Sequence, residues 1–326
     1  MRVLLTGAAG FIGFHTARRL LADGHEVWGY DSVNAYYDPA LKEARLGQLE
    51  GHEAFHFTRA GVEDRSALDA TFTDARPDAV IHLAAQAGVR HSLTHPEDYV
   101  QANLVGFVNL LEACRASKVR HLVYASSSSV YGIGSSIPFR EDARADRPVS
   151  LYAATKRANE HMAHVYAHLF GVRSTGLRFF TVYGPWGRPD MAAFIFTKAI
   201  VAGRPITLFN HGEMRRDFTY VEDVVEGVMR VMNAPPEPAD DAFEVPHRVL
   251  NIGHHSPEEL KDMVALLEKH IGKKAIVELA PMQPGDVRET YADVSGLEAL
   301  VGYAPTTTLD EGLGRFVAWY REFYDT

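Results

Sequence analysis

The sequence predicts an α/β protein with a doubly wound parallel sheet of the Rossmann type, followed by a smaller C-terminal α/β unit. Short apolar runs alternate with longer helical patterns, the runs are continuous rather than alternating, and a glycine-rich turn joins the first run to the first helix. Continuous apolar strands are buried on both faces, which is how a parallel sheet covered by helices reads.

In order, "RVLLTG" reads as a strand, "FIGFHTARRLLADG" as a helix, "EVWGYD" and "AFHFTRA" as strands, "SALDATFTDA" as a helix and "AVIHLAA" as a strand. "PEDYVQANLVGFVNLLEACRAS" is a helix, "HLVYASS" a strand, Tyr152 opens another helix and "STGLRFF" closes the series, so six strands precede about residue 180. At "TVYGPWGRPD" two prolines, two glycines and a tryptophan break the rhythm. The boundary is expected there: 1–180 as the dinucleotide-binding domain and 181–326 as the smaller unit, with a segment inside 215–253 returning to the first domain. In the smaller unit helices are expected at "FIFTKAIVAG", "VEDVVEGVMRVMN" and "PEELKDMVALLEKHIG", strands at "PITLFN", "VLNIG" and "IVELAP", and an exposed loop at "NAPPEPADDAFEVPH".

The bulk numbers exclude several classes. A length of 326 residues suits one large domain and a smaller one. A formal charge of −9 argues against a nucleic-acid partner, since a polyphosphate calls for a cationic surface. The single cysteine, Cys114, cannot form an internal disulfide and reads as a buried helix residue, which suits a reducing cytoplasm. No stretch has eighteen consecutive apolar residues and the N-terminus lacks a signal-peptide pattern, so neither a membrane span nor secretion is expected.

Gly7, Gly10 and Gly13 follow the first strand in G-x-x-G-x-x-G spacing and, with Phe11 and Ile12, would bring backbone against a pyrophosphate at a helix N-terminus. Asp31, eighteen residues after Gly13 at the end of the second strand, suits the adenosine ribose hydroxyls and repels a 2′-phosphate, so NAD is expected over NADP. Ala84, Ala85, Gln86 and Asn103 follow strand and helix signals that could bring them to the same cofactor. Tyr152 and Lys156, four apart at the head of a helix, share one face. An ammonium beside a phenol favours the phenolate and makes it a base near neutrality. Ser126 to Ser129 stand at the carboxyl end of a parallel strand, where open α/β sheets bind ligands. His161, His164 and His168 have a spacing that could hold a metal, but no cysteine or acid completes the shell and none is expected.

With the glycine loop, Asp31, the serines and Tyr152/Lys156, the chain resembles the extended short-chain dehydrogenase/reductase family over essentially its whole length. The blocks "LAAQAGVRHS", "SSSSVYG", "YAATKRANE", "LRFFTVYGPWGRPDMA" and "FNHGEMRRDFTYVEDV" look like its UDP-glucuronate 4-epimerase branch. The resemblance implies Tyr152 as acid/base, Lys156 as the residue that lowers its pKa and binds the nicotinamide ribose, and Ser127 or Ser129 on the reacting hydroxyl. It implies interconversion of UDP-glucuronate and UDP-galacturonate through a transient 4-keto sugar, with NAD regenerated in each cycle.

It further implies a UDP site with Arg216 on phosphate, Thr207 and Phe209 by the uracil, and Gln283, Asp286 and Arg288 around the nucleotide. Gly61 stands where the family usually has an aspartate, which leaves the Val62 backbone as the adenine contact, and Ser129 stands where a threonine is common.

A 4-keto uronic acid is a β-keto acid, so its carboxylate must be kept out of alignment with the carbonyl. Ser128, Ser129, Thr181 and Arg188, with Arg90 as an addition, are the candidates for that grip. Two alternative reactions, UDP-glucose/galactose epimerisation and UDP-glucuronate decarboxylation, are disfavoured by Arg188 and by the absence of an acid before Val-Tyr-Gly. A non-catalytic nucleotide sensor would be expected to have lost Tyr152, Lys156 or the serines. A homodimer through the helices carrying Leu110 and Tyr152 is also implied.

Overall fold

In the computed structural model, which describes residues 1–237, 245–283 and 286–326, seven parallel strands form the central sheet. They are β1 (Arg2–Thr6), β2 (Glu26–Asp31), β3 (Phe55–Arg59), β4 (Ala79–His82), β5 (His121–Ser127), β6 (Ser174–Phe179) and a late strand at His247–Ile252, β10 in chain order. The spatial order is β10-β6-β5-β4-β1-β2-β3. Along β1, Val3 and Leu5 enter the apolar layer on one face of the sheet and Leu4 the layer on the other. Strand alternation thus feeds two cores, and the runs read as continuous because both faces are covered.

One face is covered by α1 (Phe11–Ala22), and the other by α3 (Arg65–Ala75), α5 (Gly106–Ser117) and α6 (Leu151–Phe170), with α2 (Pro39–Gly47) following β2 and α4 (Pro96–Tyr99) leading through a wider, π-type turn into α5. Helix starts follow side-chain caps: Asp64 accepts the Ala67 N–H at 3.0 Å for α3, and Ser150 accepts the Ala153 N–H at 3.1 Å for α6. Gly171, in the left-handed region, ends α6. Cys114 is buried on α5.

Beyond β6 the chain forms β7 (Thr181–Tyr183), α7 (Ala192–Val201), β8 (Pro205–Leu208), β9 (Arg215–Tyr220) and α8 (Val221–Met232). After β10 come β11 (Pro257–Glu259), α9 (Leu260–Ile271), β12 (Ile276–Leu279), α10 (Ser295–Val301) and α11 (Leu309–Tyr324). α8 packs on α1 and β10 pairs in parallel with β6, so both complete the larger unit. The smaller unit holds the sheet β11-β9-β7, the parallel pair β12-β8 and the packed helices α7, α9 and α11. Of the proline-rich loop expected at 233–247, residues 238–244 lie outside the described part.

Candidate active site

The carboxyl ends of β1, β4, β5 and β6 face the smaller unit across a cleft of about 1320 Å³. That exceeds the usual 300–1,000 Å³ of a single-ligand pocket and leaves room for two ligands end to end. Gly7, Gly10, Phe11, Ile12, Gly13, Asp31, Val62, Ala84, Ala85 and Gln86 line one half; Thr181, Arg188, Thr207, Phe209, Arg216 and Asp286 line the other. Ser127, Ser128, Ser129, Tyr152 and Lys156 line it at the ends of β5 and α6, and Arg90 also borders it.

The glycine half suits a dinucleotide. Gly10 is the N-cap of α1 and offers no side chain to the helix, so the first-turn N–H groups of Phe11 and Ile12 are left for an anion. A Cβ on Gly13 would lie 1.9 Å from the Gly7 carbonyl oxygen, so only glycine lets helix and turn pack this closely. The Asp31 carboxylate accepts the Ala9 N–H at 3.1 Å and the Val33 N–H at 2.7 Å. Each oxygen keeps a further lone pair for a ribose hydroxyl. Asn103 does not border the cleft. It is buried, and its side chain accepts the Gln86 N–H at 2.9 Å and donates to the Gln86 carbonyl at 3.0 Å and to Thr155 Oγ1 at 3.1 Å, bracing the 84–86 segment against α6.

Tyr152 and Lys156 both line the cleft from the first two turns of α6. Lys156 is buried, and its Nζ donates to the Ala125 carbonyl at 2.8 Å; burial alone pushes its pKa down to about 8. Burial raises the Tyr152 pKa, and the Arg188 charge and the Ser127 hydroxyl oppose it. The Ala125 carbonyl at the end of β5 thus holds the Lys156 ammonium beneath the cleft. Ser127 is the serine beside the phenol, while Ser129 donates its hydroxyl to Ser127 Oγ at 2.8 Å.

Arg188 is held side-on by Asp190, with Nε to Oδ1 at 3.0 Å and Nη2 to Oδ2 at 2.6 Å. Two of its five N–H donors are engaged there, and the Nη1 edge remains. At the far end Arg216 is half enclosed: Nη1 donates to the Arg215 and Arg288 carbonyls, and Nη2 donates to Asp286 Oδ1 at 2.8 Å and to the Val287 carbonyl at 2.6 Å. Asp286 therefore acts as its counter-ion. The Arg288 side chain is 78% exposed and reaches Glu213 at 4.0 Å, while its carbonyl accepts from Arg216. Gln283 is off the cleft wall, its Oε1 buried with no partner among the described residues. Arg90 lies 5.4 Å from the centroid of Phe209, which places it with the expected uracil contact rather than with the carboxylate grip.

Comparison with known proteins turns this geometry into a family assignment, because residues 3–253 match the NAD dependent epimerase/dehydratase family. The chain belongs to that family. A probable UDP-glucuronate 4-epimerase of Rhizobium meliloti (strain 1021) is 51% identical over 334 residues, covering 99% of this chain and 98% of the relative. UDP-glucuronate 4-epimerase 3 of Arabidopsis thaliana is 44% identical over 332 residues, covering 99% and 77%. The crystal structure of a UDP-glucuronic acid 4-epimerase from Bacillus cereus, in complex with UDP-glucuronic acid and NAD, aligns with a TM-score of 0.91 at 35% identity over 99% of this chain and all of that one.

Sequence reasoning about this epimerase/dehydratase chain missed three residues of the cleft wall. Asp190 was within reach, being two residues from Arg188 in "GRPD". Tyr36 donates its hydroxyl to Asp190 Oδ2 at 2.9 Å from 154 positions away, and no local signal announces that. Lys42 fixes the turn before Tyr36 by donating to the Asn34 carbonyl at 2.8 Å and to Asn34 Oδ1 at 2.7 Å.

Proposed function

We propose that this protein is an NAD-dependent UDP-glucuronate 4-epimerase that interconverts UDP-glucuronate and UDP-galacturonate. The observation that carries the reading is the station of Arg188, a cation on the cleft wall whose charge reaches the Tyr152 phenol. A sugar whose C4 hydroxyl meets Tyr152 puts the C5 substituent beside that charge, and a carboxylate suits such a place where a neutral hydroxymethyl does not. The substrates named for the aligned relatives agree with this.

Bound NAD would supply a hydride acceptor at C4 and a positive ring beside the phenol. The protein's own residues do the rest. The Tyr152 oxygen takes the proton of the 4-hydroxyl and returns it, and Ser127 holds that hydroxyl in line. Lys156 presents an ammonium toward the cofactor ribose from the floor formed by β5. Ser128, Ser129 and Thr181 with Arg188 orient the carboxylate, because several directional bonds fix a plane better than one ion pair does. Arg216 takes the diphosphate, and Thr207 and Phe209 the uracil.

Two further features belong to the same reading. Val105 and Val108 on the α5 side and Val165 and Leu169 on α6 are exposed, Leu169 by 60%, and we infer that they pair with a second copy in a homodimer. Among the described residues no helix is long and apolar enough to cross a membrane.

The test is to incubate purified protein separately with UDP-glucuronate and with UDP-glucose and to follow the configuration at C4 by NMR. Conversion of the uronic acid is expected, and turnover of the neutral sugar alone contradicts the reading.

A further inference from the structure

We propose that Tyr36 is a specificity-determining positioning residue, which through Asp190 aims Arg188 at the acidic group of the sugar and thereby ties carboxylate recognition to the ordered cofactor half of the cleft. The proposal rests on the reading above. Its basis is a continuous chain of contacts between the two halves. Asp31 accepts the Val33 N–H at 2.7 Å, Lys42 clamps Asn34, the Tyr36 hydroxyl donates to Asp190 Oδ2 at 2.9 Å, and Asp190 grips Arg188 through two bonds.

The alternative stations of Tyr36 are closed. Gly88, at φ +102°, packs so near that a Cβ there would lie 2.3 Å from the Tyr36 oxygen, and the His91 ring packs against the Tyr36 ring at 4.8 Å between centroids, tilted by 60°. Burial and the Asp190 charge push the Tyr36 pKa up to about 12, so it stays a hydrogen-bond donor across the working range. The segment that carries Arg188 is pinned from the larger unit at two further points, His15 to the Pro185 carbonyl at 2.8 Å and Arg45 to the Trp186 carbonyl at 2.7 Å. With the backbone pinned there, the guanidinium is placed by the Asp190 carboxylate and by the Tyr36 ring, 5.8 Å from it. The Tyr36 hydroxyl holds that carboxylate in turn, and so the guanidinium that Asp190 grips on the cleft wall.

A loose grip would have a chemical signature. Once C4 has given its hydride to the nicotinamide dinucleotide, the C5–C6 bond can break with release of carbon dioxide, its electron pair moving to C5 as an enolate that a proton then quenches. Orientation of the carboxylate by Arg188 opposes the alignment this requires.

The experiment is calorimetric titration of the NAD-loaded protein with UDP-glucuronate and with UDP-glucose, in the wild type, in Tyr36→Phe and in Asp190→Asn, with NAD content and thermal midpoint as controls of folding. The wild type is expected to prefer the acidic sugar. Both variants are expected to bind UDP-glucuronate about 10-fold more weakly, a change of about 1.4 kcal/mol, while UDP-glucose binding stays within about two-fold and carbon dioxide released per epimerisation rises. A wild type that binds the two sugars equally overturns the underlying reading, and the positioning role with it. A preference that survives in both variants overturns the positioning role alone, as does an equal loss of affinity for both sugars. If Tyr36→Phe fails to fold, Asp190→Asn carries the same comparison.

Discussion

Burial raises the Tyr152 pKa, and the Arg188 charge opposes that rise. The phenol must lose a proton to act as a base, so kcat/KM should rise with pH, and removing a nearby cation should move that rise to higher pH. Arg188→Met is therefore expected to shift the ascending limb of the profile upward, and an unmoved limb would show that the phenol does not sense Arg188. Lys156 makes the opposite kind of statement. Its folded pKa of about 8 lies below the ordinary lysine value, so its buried charge opposes folding at neutral pH, and that opposition fades as pH rises through about 8 toward 10. The penalty is on the order of 3 kcal/mol. Lys156→Met is expected to raise the thermal midpoint of the cofactor-free protein by a few degrees while abolishing turnover; a fall in the midpoint would contradict the assignment of a buried, strained cation.

Helix α6 shows how an element can be set by a buried charge network. Glu160 accepts from Arg178 through Nε at 2.8 Å and Nη2 at 2.9 Å, from Ser126 at 2.6 Å and from Arg157 at 2.6 Å, which locks the helix to the ends of β5 and β6. Burial works to raise the Glu160 pKa, but Arg178 and the other donors outweigh it and hold it below the usual glutamate value. The stabilisation is then complete above the ordinary carboxylate range and is lost as pH falls beneath it. Glu160→Ala, which strands Arg178 in the interior, is expected to cost about 3–5 kcal/mol in urea unfolding, and a loss below about 1 kcal/mol would refute it.

At this scale the sequence was legible where local physics decides. The six apolar runs correspond to β1 to β6, and Asp64 and Ser150 mark the helix starts that they cap. α10 and α11 were not anticipated; the T-x-x-E pattern at Thr308 and Glu311, whose N–H Thr308 caps at 3.3 Å, is the local signal that would have revealed α11. β7, three residues long, and β9, opened by two arginines, are set by pairing with each other, and no periodicity in so short a stretch reveals that. The site divides in the same way. The glycine turn, Asp31 and the serines are consecutive or regularly spaced and could be read. The Tyr36–Asp190 bond, the direction of the Lys156 ammonium and the enclosure of Arg216 by the 286–288 segment arise only when distant parts of the chain meet.

For the whole molecule, the cleft works because two units are joined at several points, through β10 and α8 returning to the larger unit and through Arg45, His15 and Tyr36 reaching the 185–190 segment. The exposed apolar residues Val105, Val108, Val165 and Leu169 belong to the α5 and α6 side of the sheet, the face opposite α1. Leu169→Glu is expected to convert a dimer to monomers in sedimentation analysis with the fold intact, and a wild-type monomer would refute the pairing of these helices.

The central claim is that the Tyr152 oxygen moves the proton of the sugar 4-hydroxyl beside NAD. The most direct measurement is the rate at which Tyr152→Phe, purified with its NAD content verified, inverts UDP-glucuronate. A loss of at least about 100-fold with cofactor retained is expected for removal of a general base, whereas inversion at the wild-type rate would contradict the account.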